Sequence, residues 1–263
     1  MKQTIGFIGM GNMAQAIAEG FVRSGMVSPE KLRAYAPHQD KLRQNAERIG
    51  FIPCASASEL TASSDICIMC CKPYQIEEVL KEISALLPGR ALLSVAAGWD
   101  FDRYRPLLPS GTRFQFIMPN TPAMTGDGVL LFEAAHSLEA EERMQIMELF
   151  GCLGLVRELP SHLMGIGGTI TGCGPAFVDM MMEAFADAAV KYGISRPLAY
   201  ELVSQMVLGS ARLQAVTGKH PGQLKDEVCS PGGTTILGVE ALEKHGLRAA
   251  CLEAIQAVMR GER

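Results

Sequence analysis

The sequence predicts an α/β fold, a doubly wound parallel sheet followed by an all-helical C-terminal domain. Three features carry that expectation. Through residue 160, short apolar runs alternate with amphipathic ones. A glycine-rich turn stands directly between the first apolar run and the first amphipathic one. After Leu159 strand-like runs become scarce and helical spacing takes over.

In order, residues 4–9 (TIGFIG) form a first apolar strand, and 12–24 follow with helical spacing. Residues 32–36 (LRAYA) and 40–49 repeat the strand-then-helix pattern. A strand over 66–71 (ICIMCC) precedes a helix over 75–86. Strands over 91–97, 113–118 and 128–132 lead to a helix over 139–150. These runs are apolar throughout, as strands covered by helices on both sides must be. Beyond them, helices are expected at about 162–170, 175–192, 196–217 and 233–260. Pro175, Pro197, Pro221 and Pro231 each fall near a helix start, where a missing N–H costs little. The change of pattern near ELPSH (158–162) divides the chain into domains 1–160 and 161–263. No internal repeat or low-complexity tract interrupts it, and MMMEAF (180–185) reads as core filling.

With 263 residues, 48% of them hydrophobic, the chain can bury the core of one large or two modest domains. A net charge of −4 argues against nucleic acid as the main partner. No apolar run is long enough to span a bilayer, and glycine interrupts the first residues before a signal-peptide stretch can form. A cytoplasmic protein with no membrane partner is the expectation. CIMCC (67–71) contains a C-x-x-C, but one such pair on an extended segment makes a poor zinc site. It reads as a buried strand in which Cys serves as a small hydrophobe. His38, His136, His162, His220 and His245 show no metal spacing, and no metal is expected.

Gly9, Gly11 and Ala14 spell G-x-G-x-x-A between a strand and a helix. The first glycine permits the tight turn, the second lets a pyrophosphate approach the backbone, and the alanine keeps helix and strand close. The helix N-terminus favours the anion. The pattern in this context is a Rossmann-type dinucleotide site. The second strand ends in Tyr35, Ala36, Pro37, His38 and Gln39, with neither the acid usual for NAD nor an arginine. The absence of an acid favours NADP, with Lys41 and Arg43 also near; use of NAD as well stays open.

Taken together, GFIGMGNMA (6–14), Lys72–Pro73, MPNTPA (118–123), GCGPAF (172–177) and HPGQLKDEVCSPGGTTILGVEALEKHG (220–246) resemble the pyrroline-5-carboxylate reductases over essentially the whole length. The resemblance implies NAD(P)H-dependent reduction of a cyclic imine to L-proline. It also implies a homodimer through interlaced C-terminal helices, often built further into rings. On the cofactor side it implies Ile8, Gly9, Gly11, Asn12 and Met13 at the first turn, and Ala36 and His38 after the second strand. Cys70, Cys71, Lys72 and Pro73 would end the strand over 66–71, Val95, Ala96 and Ala97 the strand over 91–97, and Asn120 would line the nicotinamide pocket unless it is simply a turn residue. The chain departs from the family's pattern at Ala57, Phe116, Gly165, Thr171 and Cys173.

An iminium carboxylate brings its own electrophile and one anionic handle, so neither a triad nor a metal is needed. The resemblance places the substrate on Val228, Cys229, Ser230, Gly232, Gly233, Thr234 and Thr235, with Thr235 beside the imine nitrogen as proton donor or orienter. Two glycines leave amides uncovered for a carboxylate, and the hydroxyls can donate or accept. An ordinary N-cap with Pro at the first turn would account for Ser230–Pro231 alone. The alternatives are a paralogue reducing a related cyclic imine carboxylate, or a non-catalytic cofactor-sensing regulator. A β-hydroxyacid dehydrogenase is disfavoured because residues 171–185 contain no lysine.

Overall fold

The computed structural model describes residues 3–261. Its elements run β1 (Ile5–Ile8), α1 (Asn12–Arg23), β2 (Leu32–Tyr35), α2 (Gln39–Ile49), β3 (Ile52–Pro53), α3 (Ala57–Ala62), β4 (Ile66–Met69), α4 (Ile76–Ile83), β5 (Ala91–Ser94) and α5 (Phe101–Tyr104). They continue with β6 (Arg113–Met118), β7 (Gly128–His136), α6 (Ala140–Gly151), β8 (Gly154–Leu159), α7 (Ser161–Gly168), α8 (Gly174–Lys191), α9 (Arg196–Thr217), α10 (Pro221–Val228), α11 (Thr234–Lys244) and α12 (Leu247–Gly261).

The strands form one sheet in the order β3-β2-β1-β4-β5-β6-β7-β8. All neighbours pair parallel except β6 and β7. Residues 119–127 explain the exception: a connection this short cannot make the crossover that a parallel neighbour requires. The six predicted strands are all present. The two that were not predicted are β3 and β8, both at edges, where a two-residue Ile-Pro segment and a half-exposed, charged strand lack the apolar signature.

Helices cover both faces, and alternate side chains along each strand feed two core layers. On β4, Ile66 and Ile68 enter one layer with Phe7, Ile17 and Phe150. Cys67 and Met69 enter the other with Leu60, Leu80 and Tyr104. Cys67 is thus a core residue of a strand, and burial pushes its thiol up to about 11.

Two compact units meet in sequence at Gly172 and Cys173. Helix α7 therefore folds with the sheet, packing on β7 and β8, although the change of periodicity put the boundary at 160. The second unit holds α8–α12. Its buried apolar core is small, Ala186, Ala199 and Val203, with Met182, Val190 and Ile194 packed against it. Meanwhile Met180, Leu208, Val216, Leu237 and Leu252 are exposed. That leaves far more apolar surface in water than a monomeric helical unit keeps. Helix α10 begins at Pro221, one of the prolines expected near a helix start, although no helix range is expected from the sequence there. Only half of its eight residues are polar, and its N-cap is His220, whose Nδ1 accepts from the Gly222 N–H at 3.1 Å. The continuous helix expected over 233–260 breaks at Gly246, whose φ of +75° lies in the left-handed region.

Glu133 on β7 is a buried carboxylate, accepting from the Phe101 N–H at 2.8 Å and from the Ser161 side chain. Burial raises its carboxyl above the usual range, and the two hydrogen bonds pull only partly against that. The folded state then holds this proton more tightly than the unfolded chain. The stability it contributes is present below about pH 4.3 and is lost as pH rises through the raised value. Denaturant midpoints of the wild type should fall across that window, and Glu133→Gln should flatten the slope.

Candidate active site

The C-terminal edge of the sheet carries a cavity of about 540 Å³ over β1, β2 and β4. Gly9 sits at φ +99° and donates its N–H to the Tyr35 carbonyl at 2.7 Å. A Cβ there would lie 2.8 Å from the backbone of Cys70 and Cys71, so only glycine lets the turn pass under the end of β4. Gly11 is different. Its backbone is extended, and a Cβ would meet nothing within 4 Å. The space it leaves is open to a ligand, beside the N-terminus of α1, where no side chain caps the first amides and no acid occupies the first turn. Those observations fit a pyrophosphate.

The rest of the lining agrees. Ala36 and His38 follow β2, and Cys70, Cys71 and Lys72 follow β4, all on the cavity with Ile8, Gly9 and Gly11. Burial pushes the Cys71 thiol up to about 11 and raises that of Cys70 as well, so both stay neutral and present no charge to an anion. Lys41 lines the cavity, whereas Arg43 pairs with Asp40 at 3.5 Å and does not. Asn12, Met13, Pro73, Val95, Ala96, Ala97 and Asn120 lie outside this lining. Asn12 and Met13 open α1 and supply its first amides.

Val95–Ala97 form the loop after β5. Buried Ser94 accepts from the Ala96 N–H at 3.3 Å and from the Tyr104 hydroxyl at 2.9 Å, while Arg103 donates to the Gly98 carbonyl at 2.9 Å. This loop is held in place before any ligand arrives. The Asn120 amide is committed at both ends: its Oδ1 accepts from the Val129 N–H at 2.8 Å, and its Nδ2 donates to the Thr171 carbonyl at 3.0 Å.

In the second unit, Ser230–Gly233 is a tight turn closed by the Gly233 N–H on the Ser230 carbonyl at 3.0 Å. Pro231 and Gly232, the latter at φ +70°, are its central residues, the pattern of a type II turn. Ser230 is therefore not the N-cap of α11. Gly233 is, with no side-chain cap, so the amides of Thr234 and Thr235 open the helix uncovered. Val228 is exposed and Cys229 half-buried beside this turn. Thr234 and Thr235 also face a shallow, mostly apolar cavity of about 570 Å³ with Phe185, Gly238, Leu242 and His245.

Asn45, Tyr74, Gln75 and Glu78 also line the dinucleotide cavity without being singled out by the sequence. Position is a signal for Tyr74 and Gln75, on the connection after β4, and for Glu78, early in α4, but not for Asn45, which lies midway along α2.

Residues 161–263 match a family model described as pyrroline-5-carboxylate reductase dimerisation, and residues 4–98 match one described as NADP oxidoreductase coenzyme F420-dependent. The pyrroline-5-carboxylate reductase of Treponema pallidum (strain Nichols) is 39% identical over 259 residues, covering 97% of this chain and 98% of that protein. This chain belongs to the pyrroline-5-carboxylate reductase family. The pyrroline-5-carboxylate reductase of Escherichia coli (strain K12) is 38% identical over 260 residues, covering 98% of this chain and 97% of that one. Among solved structures, pyrroline carboxylate reductase from Plasmodium falciparum with NADP bound superposes with a TM-score of 0.89 at 29% identity, covering 99% and 97% of the two chains. Two departures from the pyrroline-5-carboxylate reductase pattern, Ala57 and Phe116, are fully buried in the core layer of α3–α5, where an unpaired polar side chain would be costly.

Proposed function

We propose that the protein is a cytoplasmic reductase that converts Δ1-pyrroline-5-carboxylate to L-proline with NADPH, the last step of proline synthesis. One observation carries the reading: a chain with a dinucleotide cradle at Gly9–Gly11 also carries an uncapped, glycine-opened helix start at Gly233 followed by two threonines. The first suits a pyrophosphate, and the second suits a small carboxylate beside a nitrogen that needs a hydrogen-bond partner. NADPH, when bound, supplies a hydride to the imine carbon.

Ile8, Gly9, Gly11, Asn12 and Met13 would hold the pyrophosphate through backbone amides. Ala36, His38 and Lys41 would accommodate the adenosine ribose and its 2′-phosphate, with no acid at the end of β2 to repel it. Cys70, Cys71, Lys72 and Pro73 would line the cofactor's path. Val95, Ala96 and Ala97 would face the nicotinamide from a preformed loop, while Asn120 would fix the backbone around it. On the substrate side, the amides at Gly232–Thr235 would seat the carboxylate, with Val228, Cys229 and Ser230 as the rim. The Thr235 hydroxyl would hold the imine nitrogen as it becomes an amine, donating or relaying its proton.

The second unit supports a homodimer, since its exposed apolar helix faces need a cover and the dimerisation model spans them. Further closure of dimers into a ring belongs to the same proposal. The test is NADPH oxidation with Δ1-pyrroline-5-carboxylate against Δ1-pyrroline, which lacks the carboxylate. Turnover of the first with kcat/KM at least about 100-fold above the second supports the carboxylate seat. Equal turnover of both would overturn it, and turnover of neither would overturn the reductase reading.

A further inference from the structure

The wall of the dinucleotide cavity opposite Lys41 is acidic, which nothing about phosphate binding explains. It is built by Gln75, just ahead of α4, and by Glu78, Val79 and Glu82 in the helix's first two turns. Two of these polar groups are already occupied. Gln75 accepts from the Lys72 N–H through its side-chain oxygen at 3.2 Å. Glu82 accepts from the Ser58 N–H at 3.0 Å and the Ser58 hydroxyl at 3.1 Å. Val79 packs into the core and offers an apolar surface. Glu78 is exposed, and no hydrogen bond or ion pair engages it among the described residues. Glu77 and Glu78 both sit in the first turn of α4, where acids favour the helix dipole, but Glu77 does not line the cavity. The dipole accounts for one acid there and leaves the one facing the cavity unexplained.

We propose that Glu78 reads the adenine base of the cofactor, accepting a hydrogen bond from its exocyclic amino group while Val79 supports the ring. The inference rests on NADPH being the cofactor. The cavity is then polarised along the adenosine: His38 and Lys41 on the α2 side meet the 2′-phosphate, and Glu78 on the α4 side meets the one strong donor the base carries. Hypoxanthine differs from adenine at that position, replacing the amino donor with a carbonyl acceptor that a carboxylate repels.

The experiment titrates the protein with NADPH and with its hypoxanthine analogue, following the nicotinamide fluorescence common to both. Wild type should bind NADPH at least about tenfold tighter, the size of one charge-assisted hydrogen bond. Glu78→Ala should bring the two within about twofold by weakening NADPH. Glu78→Gln, whose amide can turn either end to the base, should tighten the hypoxanthine analogue relative to wild type. Glu77→Ala should keep the wild-type ratio, separating base reading from loss of helix-terminal charge. Equal binding of both dinucleotides by wild type, or a preference that survives in Glu78→Ala, would overturn the inference with NADPH use intact. Binding of neither dinucleotide would overturn NADPH use and the inference together.

Discussion

Thr235→Ala should lower kcat/KM for the imine by at least about 100-fold, the usual yield of a positioned proton donor, while leaving NADPH affinity and thermal midpoint unchanged. Thr235 is exposed at the second position of α11, so removing its hydroxyl and methyl opens no core cavity and breaks no helix bond. Among the described residues no hydrogen bond engages this hydroxyl, so its proposed role is toward a bound substrate. Thr235→Ser keeps the hydroxyl and should recover most of the activity. A Thr235→Ala enzyme with near wild-type kcat/KM would show that the amides of α11, without the side chain, suffice for the imine.

The second large effect separates two glycines that sequence pattern treats alike. Gly11→Ala should fold normally, because its added Cβ meets nothing within 4 Å. It should nevertheless lose NADPH binding by about 100-fold, since the methyl stands where the pyrophosphate would approach the backbone. Gly9→Ala should lose both. Its φ of +99° costs an L residue about 1–2 kcal/mol, and the Cβ would stand 2.8 Å from the Cys70 and Cys71 backbone, which cannot yield without moving the end of β4. Thermal denaturation beside cofactor titration checks the pair. Equal destabilisation by both substitutions would contradict the assignment of Gly11 to the ligand.

Much of this was legible in the sequence because it rests on backbone requirements that few residue types meet. The turn at Gly9 needs what glycine supplies, whereas the close pass of β4 over it and the tight turn at Pro231–Gly232 emerge only from the structure. Buried parallel strands announce themselves as unbroken apolar runs, so β1, β2, β4, β5, β6 and β7 were found. The edge strands β3 and β8 were not, because an edge has one partner and tolerates Pro53, Arg157 and Glu158. The break at Gly246 is hidden in the sequence because apolar helical spacing continues on both sides of it. Glu78 was missed for another reason. An acid in a helix's first turn has an ordinary explanation, and only the cavity distinguishes it from Glu77.

The tie of Asn120 to Val129 and Thr171 was also invisible beforehand, since it joins residues 9 and 51 positions away in the chain. MPNTP showed that an asparagine was present, not that its amide would be engaged at both ends. Likewise the hold of Ser94 and Tyr104 on the loop after β5 depends on a helix of four residues, α5, too short for periodicity to reveal.

The proposed reductase needs both the dinucleotide cradle and the α11 substrate seat on one chain. Incubating the purified full-length protein with a limiting, known amount of Δ1-pyrroline-5-carboxylate and excess NADPH tests it directly, with NADPH consumed and L-proline formed both quantified. One L-proline for each NADPH oxidised, with no oxidation when the imine is withheld, is the expected result. NADPH that binds but is not oxidised, or is oxidised without proline appearing, would contradict it.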